Sequence, residues 1–518
     1  MRSPLRLGAA RAVIRCWLWW LDALLSLRLA TYRCDQEALA RRYGVEGVEP
    51  EPYGESTRQR ILECTAVCRG PKEFAWTSGT TREPKQILYP RRRLRQLQQT
   101  YVAQAILAYR HAELGRPAFY FLTSMAPDRS ISGLLVREPL PWWLARYILC
   151  DSIIYEPAVA QLAGRYPQDA LHLTLLLLSA PVLIAMANPS SLYVILQRAE
   201  RDWDRIRTQV TRILAEDSWL PAFKKLRGSS VSLREARVRQ LLESPRCPLV
   251  KDLLPELKMV YCWQGGYVQP FLENLKAQLA DLQPIFHPMF SMSTETVAYL
   301  IHPRMSATAG LPVYPGVCYE FIPADHEATA RHLLKPWQLR AGQRYLMVVS
   351  DAYGLRRYLT NDVFECDDVR GQTPLLRFLG RAGLSYSFTG EKITDQQLVE
   401  VYETIRQTTQ LPGAVFVCFP KLNTGDVPGY VFVCAAEATH PSAAAISADR
   451  FDEELKQINE EYASKRTSGR LAKPEMVFCG YEELVAKLVR SDSRYRGTSP
   501  AQFKPLPLYQ TAWESLGR

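Results

Sequence analysis

No Cys-x-x-Cys pair occurs in this chain, although it holds 12 cysteines. Cys64 and Cys68 are the nearest neighbours, and no paired cysteines face a His-x-His set at zinc-ligand spacing. A disulfide scaffold and a zinc finger are thereby excluded. The thiols read as reduced, mostly buried small hydrophobes of a cytoplasmic protein. Histidine is scarce, with 7 scattered residues that suggest neither a triad nor a metal cluster. Internal repeats and low-complexity tracts are missing. Charged residues make up 23% of the chain and the net charge is +11, mild for 518 residues. That balance suits an anionic small ligand and does not call for nucleic acid. Long apolar runs are also lacking. The best candidate, Leu171 to Ala187, is about 17 residues long, the lower limit for a spanning helix. It carries His172, Thr174 and Pro181, so a buried core element is the better reading.

What is present is the composition of a globular protein: 47% hydrophobic and 10% aromatic residues, with 35 Pro and 27 Gly dispersed. The length predicts roughly two to four domains. Helical spacing covers Arg92–Tyr109, Ser191–Ala215 and Pro270–Leu282. Short β-rich runs fall at Phe74–Trp76, Gln86–Tyr89, Lys258–Cys262, Tyr345–Ser350, Ala414–Pro420 and Tyr430–Ala435. Strands interleaved with helices predict an α/β architecture. After about residue 382 a strand–helix–strand set with a long helix at Asp449–Ser464 predicts a separate small α+β domain. The division is therefore 1–381 and 382–518. Residues 13–29 place Val13, Trp17, Trp20, Leu24 and Leu27 at helical spacing among arginines. They read as a helix docked on the body, with a peripheral membrane helix or a transit segment as the alternatives.

The first chemically loaded stretch is Phe74-Ala-Trp-Thr-Ser-Gly-Thr-Thr-Arg-Glu-Pro-Lys85. A strand runs into Thr77, Ser78, Gly79, Thr80 and Thr81, and Lys85 opens a second strand. Gly79 permits close backbone approach, the hydroxyls donate hydrogen bonds, and Lys85 supplies a countercharge, which together suit a phosphate. No Gly-Lys-Ser/Thr opens a helix here, so this is not a Walker loop. A Ser/Thr-rich surface hairpin is the bland alternative. The nearby Arg91-Arg-Arg93 and Arg95 cluster reads as a solvated face, with attraction of a triphosphate as the alternative.

Further strings follow in order: Trp263-Gln-Gly-Gly266, Phe290-Ser-Met-Ser-Thr-Glu-Thr296, Tyr319-Glu-Phe-Ile-Pro323, Tyr358-Leu-Thr-Asn-Asp362 and Phe378-Leu-Gly-Arg381. Near the end stand Tyr462, Arg466-Thr-Ser-Gly-Arg-Leu471 and Gly497-Thr-Ser-Pro-Ala-Gln-Phe-Lys-Pro505. The ordered set resembles the adenylate-forming superfamily, and within it the Gretchen Hagen (auxin-responsive promoter) acyl-acid amido synthetases. The resemblance implies a large N-terminal domain of sheets with flanking helices and a β-barrel portion, plus a small mobile C-terminal lid domain. It also implies ATP and Mg²⁺ as cofactors. By the same likeness Thr77, Ser78, Gly79, Thr80, Thr81 and Lys85 would cradle the ATP phosphates, with Ser293 and Thr294 on the adenylate. Glu295 would hold Mg²⁺, Tyr319 and Phe321 would lie near the adenine, and Asp362 and Arg381 near the ribose. Lys504 would swing in from the C-terminal domain as the catalytic ammonium. Arg82, Met292 and Asn361 depart from the family's usual residues, Asn361 replacing a customary Gly or Val.

The implied reaction adenylates a carboxylic acid and passes the acyl group to an amine or amino acid. Coenzyme A or a carrier protein is the alternative acceptor, and a non-catalytic ligand- or membrane-binding relative is the alternative from another class.

Overall fold

The computed structural model describes residues 26–76, 85–111, 119–122, 165–216, 229–264, 268–301, 309–382, 393–421, 427–435, 446–459, 471–491 and 503–516, with a few single positions between them. Residues 26–43 are helical and lie against the body: Tyr32 Oη donates to Pro312 O at 3.1 Å and Gln36 Oε1 accepts from Tyr319 N at 2.8 Å. The Trp-rich stretch before residue 26 lies outside the described residues.

Helix α1 (Glu55–Val67) leads into strands β1 (Lys72–Trp76) and β2 (Gln86–Pro90), which pair antiparallel with Trp76 opposite Gln86. Lys85 therefore sits at the return end of the Thr77–Lys85 connection. Thr77 to Thr81 and Arg82 lie outside the described residues. Helix α2 (Arg91–His111) follows directly. Next come β3 (Phe119–Phe121), α3 (Gln168–Ser179), β4 (Leu183–Ala185), α4 (Ser190–Arg201) and α5 (Trp203–Ala215). The apolar run at 171–187 is thus a helix and a strand. All of Asp169–Ser179 is buried, as a core element requires. Among the described residues no helix is long and apolar enough to cross a membrane.

The 191–215 stretch is two helices, divided at Asp202. Ala199, Trp203, Ile206 and Val210 keep the three- and four-residue rhythm across the division, so apolar spacing carries no trace of it.

Strand β5 (Met259–Cys262), helix α6 (Gln269–Gln278) and strand β6 (Ile285–Pro288) complete a parallel sheet in the order β3-β4-β5-β6. Its strands are short and wholly apolar at β3, β4 and β5, as expected of a sheet covered on both faces. A small antiparallel pair, β7 (Ser291–Met292) and β8 (Val297–Tyr299), holds the intervening turn. Then β9 (Cys318–Pro323), β10 (Arg344–Ser350), β11 (Tyr358–Arg370) and β12 (Thr373–Arg381) form an antiparallel sheet in the order β12-β11-β10-β9. Among the described residues this implied barrel portion is an open four-stranded sheet, edged by isolated bridges such as Gly310–Leu376.

Beyond the β13 (Ser385–Tyr386) and β14 (Ile393–Thr394) ribbon, α7 (Asp395–Thr409), β15 (Val415–Lys421), β16 (Gly429–Ala435), α8 (Ala448–Ile458), β17 (Glu475–Cys479) and α9 (Tyr481–Ser491) build a second α+β unit. Its sheet order is β15-β16-β17, mixed antiparallel and parallel. Thr394 caps α7 by accepting from Gln397 N, while Gln397 returns a bond to Thr394 N, a capping box. Helix α8 ends at Ile458, short of the expected Ser464. The Asn459 amide donates to Glu391 O at 2.9 Å and accepts from Tyr462 N at 2.8 Å, so its side chain competes with the next helical turn.

The two units share an apolar seam. Phe271 of α6 is buried with Val415, Val417, Leu484 and Phe503 of the C-terminal unit. Glu482 at the start of α9 is bridged by Arg198 and Arg201 of α4 at 2.8 and 2.7 Å.

Candidate nucleotide and acyl-transfer site

In an open parallel sheet, loops at the carboxyl ends of the strands form the binding crevice, because the chain diverges there toward helices on opposite faces. Two of the quoted strings lie at that edge: Trp263 follows β5, and Phe290 to Thr296 follow β6. The Ser293–Thr296 turn is closed by Ser293 N donating to Thr296 O at 2.8 Å, and Thr296 N donating back to Ser293 Oγ at 3.3 Å. This turn leaves Ser293 and Thr294 half-buried and sends Glu295 inward, where it is 3% exposed.

Three groups from distant parts of the chain meet there. Lys85 Nζ lies 3.2 Å from Glu295 Oε1 and 2.8 Å from Tyr358 Oη, and Tyr358 Oη donates to Glu295 Oε1 at 3.1 Å. All three are buried, so the ion pair is little screened by water and each charge depends on the other. A buried ammonium beside a buried carboxylate is a ready pair of sites for phosphate oxygens and a hard cation.

Lys504 reaches the same edge from the C-terminal unit. Its ammonium stands 4.1 Å from the Trp263 ring centroid, a cation–π contact. Trp263 Nε1 in turn donates to Phe290 O at 3.0 Å, three residues before Ser293. Trp263, which the sequence offers only as the start of the Trp263-Gln-Gly-Gly266 string, therefore links the lysine to the Glu295 segment.

Asp362 sits on β11, 9% exposed, with Arg381 as its register partner on β12. The backbone between them is bent: Asn361 has φ +61°, and its carbonyl accepts from Ala382 N at 2.6 Å. The left-handed conformation explains Asn at this departure, since Asn is the side chain that tolerates that region best after Gly.

Tyr319 and Phe321, which the resemblance would put near the adenine, lie on β9. Both rings are fully buried in the core, and Tyr319 Oη donates to Val297 O at 2.7 Å. Burial also pushes the Tyr319 hydroxyl well above its ordinary pKa. The Tyr319–Val297 bond holds β8 beneath the Glu295 turn.

Arg93 corrects the solvated-face reading of its cluster. It is buried, not solvated: its guanidinium donates to Leu88 O at 2.9 Å and Glu295 O at 2.7 Å and pairs with Asp351 at 3.1 Å. The available signal was its helical phase beside Leu94 and Leu97, both core residues. Tyr358 was missed because a tyrosine opening a β-rich run looks like ordinary core.

A cleft of about 360 Å³ opens beside Trp263, lined by Gln264, Tyr299, Phe378 and the β12 residue Arg377 on one side and Glu400 of α7 on the other. It runs between the two units. Among the described residues no cluster of three or more His, Cys, Asp or Glu could hold a metal by itself. Glu295 can offer a single carboxylate to an Mg²⁺ whose remaining oxygens come from phosphate and water, the usual mode for that ion. The described cysteines are unpaired, and burial pushes the Cys262 thiol up to about 12.

An α/β core with a crevice at the carboxyl edge of its parallel sheet, beside which a second α+β unit places Lys504, defines the two-unit class of α/β fold to which this chain belongs. The particular lineage follows from the sequence. The GH3 family N-terminal domain matches residues 63–285, its central domain 311–381 and its C-terminal domain 396–511, and the chain belongs to this family. It is 27% identical over 157 residues to the jasmonoyl–L-amino acid synthetase JAR4 of Nicotiana attenuata, covering 29% of this chain and 26% of that protein. With the indole-3-acetic acid-amido synthetase GH3.10 of Arabidopsis thaliana it is 24% identical over 171 residues, 31% of this chain and 29% of that one. The alignments thus span about a quarter to a third of these relatives. The fold is similar to that of the GH3.15 acyl acid amido synthetase, with TM-score 0.69 and 15% identity over 96% of this chain and 94% of that one.

Proposed function

We propose that this protein is an ATP-dependent acyl-acid amido synthetase. The observation that carries the reading is the convergence of Lys85, Glu295 and Tyr358 at the carboxyl edge of the parallel sheet, with Lys504 beside them on Trp263. The named relatives, all amido synthetases, support an amine over a thiol as acceptor.

In this reading a carboxylate oxygen of the acyl acid attacks the α-phosphorus of ATP, and pyrophosphate leaves. An amine, in the favoured case an amino acid, then attacks the acyl carbon and AMP leaves. The protein's part is positioning and charge stabilisation. Lys85, with the Thr77–Thr81 loop, holds the phosphates. Ser293 and Thr294 hydrogen-bond the adenylate. Asp362 accepts from the ribose hydroxyls, with Arg381 across the strand pair. Glu295 would hold Mg²⁺, which would neutralise phosphate charge. Lys504 leaves the Trp263 face to meet the charge that develops as the carboxylate attacks. Residues 382–518 act as the moving lid, and the cleft between the units admits the acceptor. The unpaired cysteines fit the reducing cytoplasm.

The test is acid-dependent exchange of labelled pyrophosphate into ATP across a panel of carboxylic acids, followed by addition of amines or coenzyme A and weighing of products. Acid-dependent exchange with an amide product is expected. No exchange with any acid removes the enzyme reading, and a thioester product moves the chain to the coenzyme A ligases.

A further inference from the structure

A second cleft, of about 190 Å³, lies behind the Glu295 turn. None of Lys85, Glu295, Tyr358 or Lys504 lines it. Its walls come from the 26–43 helix, the start of α2, the Thr296–Val297 step and the turn after β10.

Its chemistry carries both signs. Arg42 and Arg92 stand exposed at the rim, and neither makes an ion pair or hydrogen bond among the described residues. Two like charges left in one concave place favour an anion, and planar guanidiniums favour a carboxylate in particular. Deeper in, Asp351 is 8% exposed. Its Oδ1 accepts from Tyr353 N at 2.7 Å and Leu355 N at 3.1 Å. Its Oδ2 faces Arg93 Nη2 at 3.1 Å as an ion pair but takes no hydrogen bond among the described residues. Burial raises this carboxyl above its ordinary pKa against the opposing pull of Arg93 and of the two backbone N–H groups. The rings of Tyr89 and Tyr353 flank Arg93 at 4.4 and 4.9 Å, so aromatic faces already attract positive charge here.

We propose that this cleft binds a free α-amino acid, its carboxylate on Arg42 and Arg92 and its ammonium at the Asp351 side of the cleft. A zwitterion satisfies the rim cations and the inner carboxylate together, which a simple anion cannot do. Occupancy is sensed at the Glu295 turn, because three cleft-side groups hold that turn from behind. Arg93 donates to Glu295 O, Tyr89 Oη donates to Thr294 O at 2.8 Å, and Thr296 lines the cleft itself. The site is separate from the one that would carry acyl transfer, and its existence does not depend on that reading.

The experiment is calorimetric titration of the full chain, without nucleotide, using each of the twenty common L-amino acids. Acetate, methylammonium and inorganic phosphate serve as single-charge comparisons. One or more amino acids bind with one-to-one stoichiometry, at least tenfold tighter than any comparison ion. The exposed double variant Arg42→Ala/Arg92→Ala weakens that binding tenfold or more, whereas Lys504→Ala leaves it within twofold. The bound amino acid changes the dissociation constant for Mg-ATP threefold or more in the parent and not in the double variant. Absence of binding by every amino acid overturns the proposal, as does equal binding of acetate or phosphate. Binding lost in Lys504→Ala but kept in the double variant assigns the amino acid to the catalytic cluster and also overturns it. Failure on any of these counts leaves the pyrophosphate-exchange result, and the reading it tests, where they stood.

Discussion

Tyr358 joins the two charges on which the site depends. Its hydroxyl touches both Lys85 and Glu295, yet it is wholly buried and offers no surface of its own to a substrate. It is therefore a positioning residue. Tyr358→Phe keeps the ring packing and removes the hydroxyl's hydrogen bonds to Lys85 and Glu295. The variant is expected to lose about 1–3 kcal/mol in urea unfolding, the cost of leaving buried partners unmet. Pyrophosphate exchange is expected to slow by roughly tenfold, as a loss of about 1.4 kcal/mol implies. The split between steady-state parameters separates the roles. A displaced Lys85 raises KM for ATP, whereas a purely structural residue lowers Tm and leaves KM alone.

At the same scale the sequence was uneven in what it disclosed. Lys85 stands in a string whose chemistry is visible, because hydroxyls around a glycine with a lysine beside them suit a phosphate, whereas Glu295 and Lys504 are singled out only by the family resemblance. Tyr319 and Phe321 belong to a string picked out in the same way, but a string does not state which face of a strand is buried. Arg93 was hidden for the opposite reason. A run of three arginines looks solvated, and only the helical phase singles out the one that turns inward.

Among the elements, β11 shows how a departure from family pattern can be a solution. Asn361 takes φ +61° so that the chain can bend just before Asp362. Asn361→Gly is expected to leave stability and ATP affinity close to the parent. Asn361→Val places a β-branched residue in the left-handed region, at a cost of about 1–2 kcal/mol or more. A lower midpoint in urea together with weaker ATP binding checks this, and an unchanged Val variant would mean the bend is not required.

Elements with a strong period were the most legible: α2, both strands flanking the Thr77–Lys85 connection, and the β15–β16 pair lie within a residue or two of their expected places. Where legibility failed, the cause was local. Asp202 divides two helices whose apolar rhythm runs on unbroken, and Asn459 ends α8 by a side-chain bond to Glu391, 68 residues away. Neither event leaves a mark in a short window.

For the whole molecule, the seam between the two units is part apolar and part charged. Phe271 is its apolar anchor, and Glu482 its charged one. Burial alone would raise the Glu482 carboxyl, but hydrogen bonds and charge from Arg201 and Arg198 outweigh it and hold the group below its usual range. A carboxyl depressed in the docked state contributes above its ordinary pKa, and the contribution is lost as pH falls through the depressed value. Docking is therefore expected to loosen toward acid pH, and Glu482→Gln should loosen it at neutral pH. Limited proteolysis between the units would detect both, and protection that is indifferent to pH and to Glu482→Gln would assign the docking to the Phe271 cluster alone.

Trp263 has one more consequence, optical in kind. Of the 11 tryptophans in the chain, this one carries an ammonium against its face and an amide carbonyl at its indole nitrogen. Removing the cation alters the indole's emission, so if the proposed swing of Lys504 occurs, the difference in fluorescence between parent and Trp263→Phe is a built-in stopwatch for it.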